Sequence, residues 1–201
     1  MKRSAALLLA AVSMACGGTA PQQPATIQQV SLKAADLPRG MVVCGLSGDV
    51  DRFLSQAPSN NQYATEIQQN WEAIKTMGVQ HGVVEVYAKS KADCGNLFTS
   101  STAQALPAAL CMTIEFKNGS QATKAYGNVS EGASGLIAMG AQQGTATGLG
   151  KNSLAFADQF SGQSIYFALW QNARFINVLL GEDLGVPASQ RAAKNVNSRV
   201  H

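Results

Sequence analysis

Three apolar runs in the C-terminal half, NSLAFA, SIYFALW and RFINVLL, follow one another with only a few residues between them. The separators, Ser161-Gly162-Gln163 and Gln171-Asn172-Ala173, carry turn chemistry. Each run is rich in aliphatic and aromatic residues and reads as a strand. A parallel return needs a crossover of about a dozen residues or more, so strands joined this tightly must run antiparallel. Any fold for this chain therefore contains an antiparallel three-strand meander.

Upstream, helices and strands alternate. In NQYATEIQQNWEAIKTMG, Tyr63, Ile67, Trp71 and Ile74 recur at spacings of four and three, which places them on one helix face. Asn60 or Asn61 suits its cap, and Gly78 its end. VVEVYA reads as a strand. In SKADCGNLF, Ser90 and Asp93 fit a capping box for a short helix. In LCMTIEF, Leu110, Met112, Ile114 and Phe116 share one strand face, and Cys111, Thr113 and Glu115 the other. After a turn at Asn118-Gly119, Ser120 suits the cap of a helix through Ala122, Ala125 and Tyr126. The glycine-rich stretch 131–150 predicts a loop with a helical turn or two around Leu136, Ile137 and Met139. VPASQRAAKNVNSRV predicts a terminal helix, with Pro187 in its first turn and Ala192, Val196 and Val200 on one stripe. The order αβαβα followed by βββα predicts an α+β fold, a mainly antiparallel sheet with helices packed on it.

The N-terminus carries a different signal. Lys2 and Arg3 precede an uncharged, largely apolar stretch from Ser4 to Ala15, with small residues at Ser13 and Ala15. This is the pattern of a secretory signal peptide. It is shorter than the roughly 20 residues that a membrane span needs. Cleavage after Ala15 makes Cys16 the new N-terminus. The segment resembles the signal and lipobox of bacterial lipoproteins, a resemblance confined to these residues. It implies a thioether-linked diacylglyceride on Cys16, usually with a third acyl chain on the amine. The protein would then be anchored to the extracytoplasmic face of a bacterial membrane, its lipid partner reached through that terminus. Cleavage without acylation yields a secreted protein instead. Two or more acyl chains hold a protein stably at a bilayer, where one holds it marginally. GGTAPQQPATIQQVS carries no charge and mixes Gly, Pro, Gln and Thr, so residues 16–32 read as a tether. Residues 33–201 then form one globular domain.

Without Lys2 and Arg3, 13 basic side chains face 12 acidic ones. A chain so close to neutral lacks the electrostatic footprint of a nucleic-acid binder. Beyond Cys16 there are three cysteines, Cys44, Cys94 and Cys111, which export would place where disulfides persist. They allow three pairings. Cys44-Gly45 and Cys94-Gly95 lie in turn-like surroundings, whereas Cys111 lies within a strand. The favoured bridge is Cys44–Cys94, with Cys111 a buried thiol.

Catalytic chemistry finds little support. The histidines, His81 and His201, stand alone, and no CxxC, HxH or HxxxH spacing occurs, so neither a metal nor a cofactor is expected. The sequence around Ser134 lacks the G-x-S-x-G frame. GTATGLGKNS fails as a phosphate loop, because Thr145 stands where the first glycine belongs and Asn152 follows Lys151. Asp49 with Asp51, and Glu182 with Asp183, read as solvated turns. One stretch allows two readings. In SIYFALW, Ile165, Phe167 and Leu169 face one way and Tyr166, Ala168 and Trp170 the other. Either this is a central strand covered on both sides, or Tyr166 and Trp170, with Arg174 beyond the turn, form a ligand-binding surface. The functional expectation is a membrane-anchored, non-catalytic binding or interaction module. The alternatives are a hydrolase with an unrecognised site and a structural protein of the cell envelope.

Overall fold

A computed structural model describes residues 24–57, 62–97, 107–160 and 162–200. In chain order its elements are α1 (Ile27–Val30), a 3-10 turn (Ala34–Asp36), β1 (Val42–Val43), β2 (Gly48–Asp49), α2 (Val50–Gln56) and α3 (Gln62–Lys75). There follow β3 (Val79–Ala88), α4 (Lys91–Asn96), β4 (Ala108–Phe116), α5 (Gly119–Gly132), α6 (Ser134–Ala138), β5 (Gln142–Gln143) and a 3-10 turn (Gly144–Thr147). The chain ends with β6 (Ser153–Phe160), β7 (Gln163–Asn172), β8 (Phe175–Glu182) and α7 (Val186–Asn197).

The strands form one sheet in the order β1-β3-β4-β8-β7-β6-β5, with β2 also paired to β3, and every pairing is antiparallel. The fold is α+β, and the C-terminal meander lies as the short turns require. Its last strand does not sit at an edge. β8 inserts beside β4, so two strands distant in sequence form the middle of the sheet.

Both sheet faces are covered. On the first, α2, α3 and α5 pack over Val84, Val86, Met112, Ile114, Leu169 and Ile176. Trp71 of α3 lies over Gly82, where an added Cβ would come within 2.5 Å of the indole ring. The glycine is therefore what lets this helix approach. On the second face, Ala168 and Trp170 of β7, with Cys111 of β4, pack beneath Leu32, Leu37 and the small-residue stripe Ala192, Ala193 and Val196 of α7. Gly181 sits under the Ser189 hydroxyl of α7, a second close approach that a side chain would block.

The structure moves one predicted boundary. Residues up to 32 read as tether, yet Ile27, Val30 and Leu32 are buried. Two arginines hold this segment down. Arg174 donates to the Ala25 carbonyl at 2.8 Å, and Arg199 to the Ser31 carbonyl at 2.8 Å. Arg199 also pairs with the buried Asp36 carboxylate. The folded body thus begins before Lys33. The cap of α5 shifts as well. The Asn118 side chain accepts from the Gln121 amide at 3.0 Å, so Asn118 rather than Ser120 is the cap, and Gly119 opens the helix. Ser90 caps α4 as expected, accepting from the Asp93 amide. The 131–150 stretch holds α6 and, beyond the expected loop, the short strand β5.

Cys44 and Cys94 form a disulfide with a Cα–Cα distance of 5.4 Å, and Cys111 is a buried free thiol. The expected signal peptide and Cys16 lie outside the described residues.

Candidate functional site

An apolar cavity of about 250 Å³ lies on the first sheet face, between the sheet, α3 and α5. Its floor is three cross-strand pairs of β4 and β8: Leu110 opposite Leu180, Met112 opposite Val178, and Ile114 opposite Ile176. Directly opposed residues of an antiparallel pair point to the same face, so six aliphatic or thioether side chains form one continuous patch. Phe167 of β7, opposite Leu180, extends it sideways.

The roof explains why the patch is not filled. α3 lays Ile67, Asn70 and Ile74 over the floor, at the spacing of one helix face. The facing side of α5 buries Ala122 and Ala125, and only its Val129 lines the cavity. Short side chains on the covering helix leave space that leucines would occupy. The walls close at one end and open at the other. Ile74, Ile114 and Ile176 are buried, whereas Ile67, Leu110, Val129, Phe167, Val178 and Leu180 are half-buried and Asn70 is exposed. The mouth therefore lies toward Leu110 and Leu180, with Asn70 at its lip. A smaller void of about 40 Å³ adjoins at Leu110 and Leu180 and reaches Leu97 and Glu182.

Chemically this site favours hydrocarbon. Among the described residues, none of its lining side chains is titratable, and Asn70 at the lip is the one polar member. Concave, mostly apolar cavities with a few polar groups are the usual form of small-molecule sites.

A second depression is polar and shallow. It is lined by Asp49, Asp51, Arg52, Trp71, Lys75 and His81. The Trp71 indole N–H donates to Asp51 at 2.9 Å, and Lys75 lies 2.7 Å from Glu72 and 5.9 Å from the Trp71 ring centre. The hydrogen bond to Glu72, above all, raises the Lys75 pKa. Asp51, Lys75 and His81 are all exposed, which makes this a solvated charge cluster over the rim of Trp71. Among the described residues no group of three or more His, Cys, Asp or Glu is arranged to hold a metal ion. Nor is any helix among them long and apolar enough to cross a membrane.

The aromatic surface considered from the sequence does not form. Tyr166 and Trp170 are 3% and 0% exposed, sealed under α7 and the N-terminal segment. Burial pushes the Tyr166 phenol up to about 12. Arg174 is turned away from them, its Nε 2.8 Å from Glu115 and its Nη2 on the Ala25 carbonyl. Cys111 lies on the same closed face, and burial pushes its thiol up to about 12, so it is an inert core residue rather than a nucleophile. The cavity residues instead lie on the opposite face, whose β4 members Leu110, Met112 and Ile114 the strand period groups together without marking a site. The available signal was the poverty of large apolar residues in GSQATKAYGNVSEG, the helix covering three apolar strand faces.

Comparison with family models, with curated proteins and with solved structures finds no match to this chain.

Proposed function

We propose that this chain is an exported, non-catalytic binding module that holds an apolar ligand in the cavity between α3, α5 and the sheet. One observation carries the reading: the cavity is closed by Ile74, Ile114 and Ile176 and opens through half-buried Leu110 and Leu180. Apolar side chains left half-exposed around a concave site are costly unless something covers them. With no titratable group among its described lining residues, such a cavity selects by shape and hydrophobicity. Export and acylation at Cys16 are part of the proposal. They are supported by the signal-like N-terminus and by the Cys44–Cys94 bridge, which suits an oxidising compartment.

The binding test uses an environment-sensitive apolar dye. The full chain enhances its emission, and Leu180→Glu, which puts a charge at the mouth, abolishes the enhancement with little change in Tm. Unchanged dye binding in that variant would refute the site. The anchor is tested separately by intact mass after export. Acyl mass on the wild type, absent from Cys16→Ala, is expected. Unmodified Cys16 would remove the anchor from the reading and leave the cavity untouched.

A further inference from the structure

We infer that the occupant is a single unbranched acyl chain, inserted methyl end first toward Ile114 and Ile176, with its polar head left at the Asn70 lip. This rests on the binding reading above and narrows it to one ligand class. Three features select it. The first is polarity. A ligand's buried part finds no donor or acceptor along Met112, Ile114, Val178 and Ile176, so a buried polar atom would go unpaired at a cost. The second is shape. The three cross-strand pairs run along β4 and β8 over about 13 Å, two steps of about 6.6 Å between same-face residues. The third is size. About 250 Å³ is below the usual ligand-pocket range of about 300–1,000 Å³. At about 30 Å³ per water-sized group, it holds about eight methylenes of one chain. A second chain exceeds that.

The lip fits the other end of such a molecule. Asn70 is exposed on α3 where the cavity meets solvent, so the polar end of the lining lies beside the place a head group would take. A carboxylate and a glycerol ester have this end in common, and the experiment separates them.

Full-length chain carrying Cys16→Ala, so that no acyl group of its own competes, is titrated with straight-chain carboxylates and with monoacyl glycerophospholipids. Their chains run from about four to about sixteen carbons, and displacement of the apolar dye is read. Affinity is expected to rise about fourfold per methylene, the equivalent of about 0.8 kcal/mol, and to level off near eight carbons. Val178→Phe fills the middle of the cavity with a residue that suits a strand, and shifts the plateau to shorter chains while Tm holds. The head-group series with the tighter plateau identifies the natural source. Dye binding without any dependence on chain length overturns the acyl assignment and leaves the binding reading standing. Equal affinity for a branched or bicyclic hydrocarbon of the same carbon number also overturns it. A plateau untouched by Val178→Phe does the same, by placing the site elsewhere. Binding of neither dye nor acyl chain defeats the underlying reading. A dimer dispersed by Val178→Phe, without acyl uptake, gives this face to a second copy of the chain instead.

Discussion

Trp170 lies fully buried on β7, and its indole N–H has no partner among the described residues. These two facts pull in opposite directions energetically. The ring fills space under Ala192, Ala193 and Val196, so Trp170→Ala leaves a void and is expected to cost about 3–5 kcal/mol. The unpaired donor is a burden of about 1–3 kcal/mol, so Trp170→Phe, which removes it along with some volume, should be far closer to neutral. Denaturant midpoints of the two variants check this. A binding residue would show the reverse, with stability kept and ligand lost. The alternation of SIYFALW disclosed which residues share a face. It did not disclose that both faces are sealed, because the lid over Trp170 comes from Leu32 and from α7, far away in the chain. Burial at a single position is a property of partners that local pattern does not name.

Elements were legible where they were long enough to show a period. α3, β4, β7, β8 and α7 each run eight residues or more and stand where their apolar repeats placed them. α1 has four residues, too few for a helical stripe, and its flanking Gln, Thr and Pro disguise it as tether. What holds it is not local propensity. It is Ile27 and Val30 in the core and the grip of Arg174 and Arg199 on nearby carbonyls. β3 carries a further consequence at this scale. Its Glu85 faces the second side of the sheet opposite Cys111, and burial raises its carboxyl pKa above the ordinary value of 4.5. A raised folded-state value means that the protonated form is the one the fold prefers. The associated stability is fully present below pH about 4.5 and is lost as pH rises through the folded value. Glu85→Gln should therefore match the wild type in acid and exceed it at neutral pH, with a flatter dependence of Tm on pH. Parallel Tm profiles for the two proteins would show that Glu85 is solvated in the fold.

At the scale of the molecule, β8 beside β4 brings together the floor of the cavity from segments more than sixty residues apart. Neither strand alone reports a site, since Leu110-x-Met112-x-Ile114 and Ile176-x-Val178-x-Leu180 look like any buried face. Only the thin covering by α5 leaves the patch open. The wall opposite α5 is α3, and α3 lies inside the loop closed by the Cys44–Cys94 bridge, 50 residues apart in sequence. Closing a loop of that length is expected to contribute about 2–4 kcal/mol, by restricting the unfolded chain. Replacing both cysteines by alanine should lower Tm by roughly 5–15 °C in a domain of this size. The cavity should survive, because Trp71 and Ile74 hold α3 to the sheet independently of the bridge. Ligand bound only to the folded state raises stability by an amount set by its concentration and Kd alone. The stability gained on saturating the double variant with an apolar ligand should thus equal the wild-type gain, on a lower baseline. Thermal melts of both proteins with and without ligand decide it. A double variant that stays folded yet gains nothing from ligand would mean that the bridge shapes the cavity wall as well as stabilising the fold.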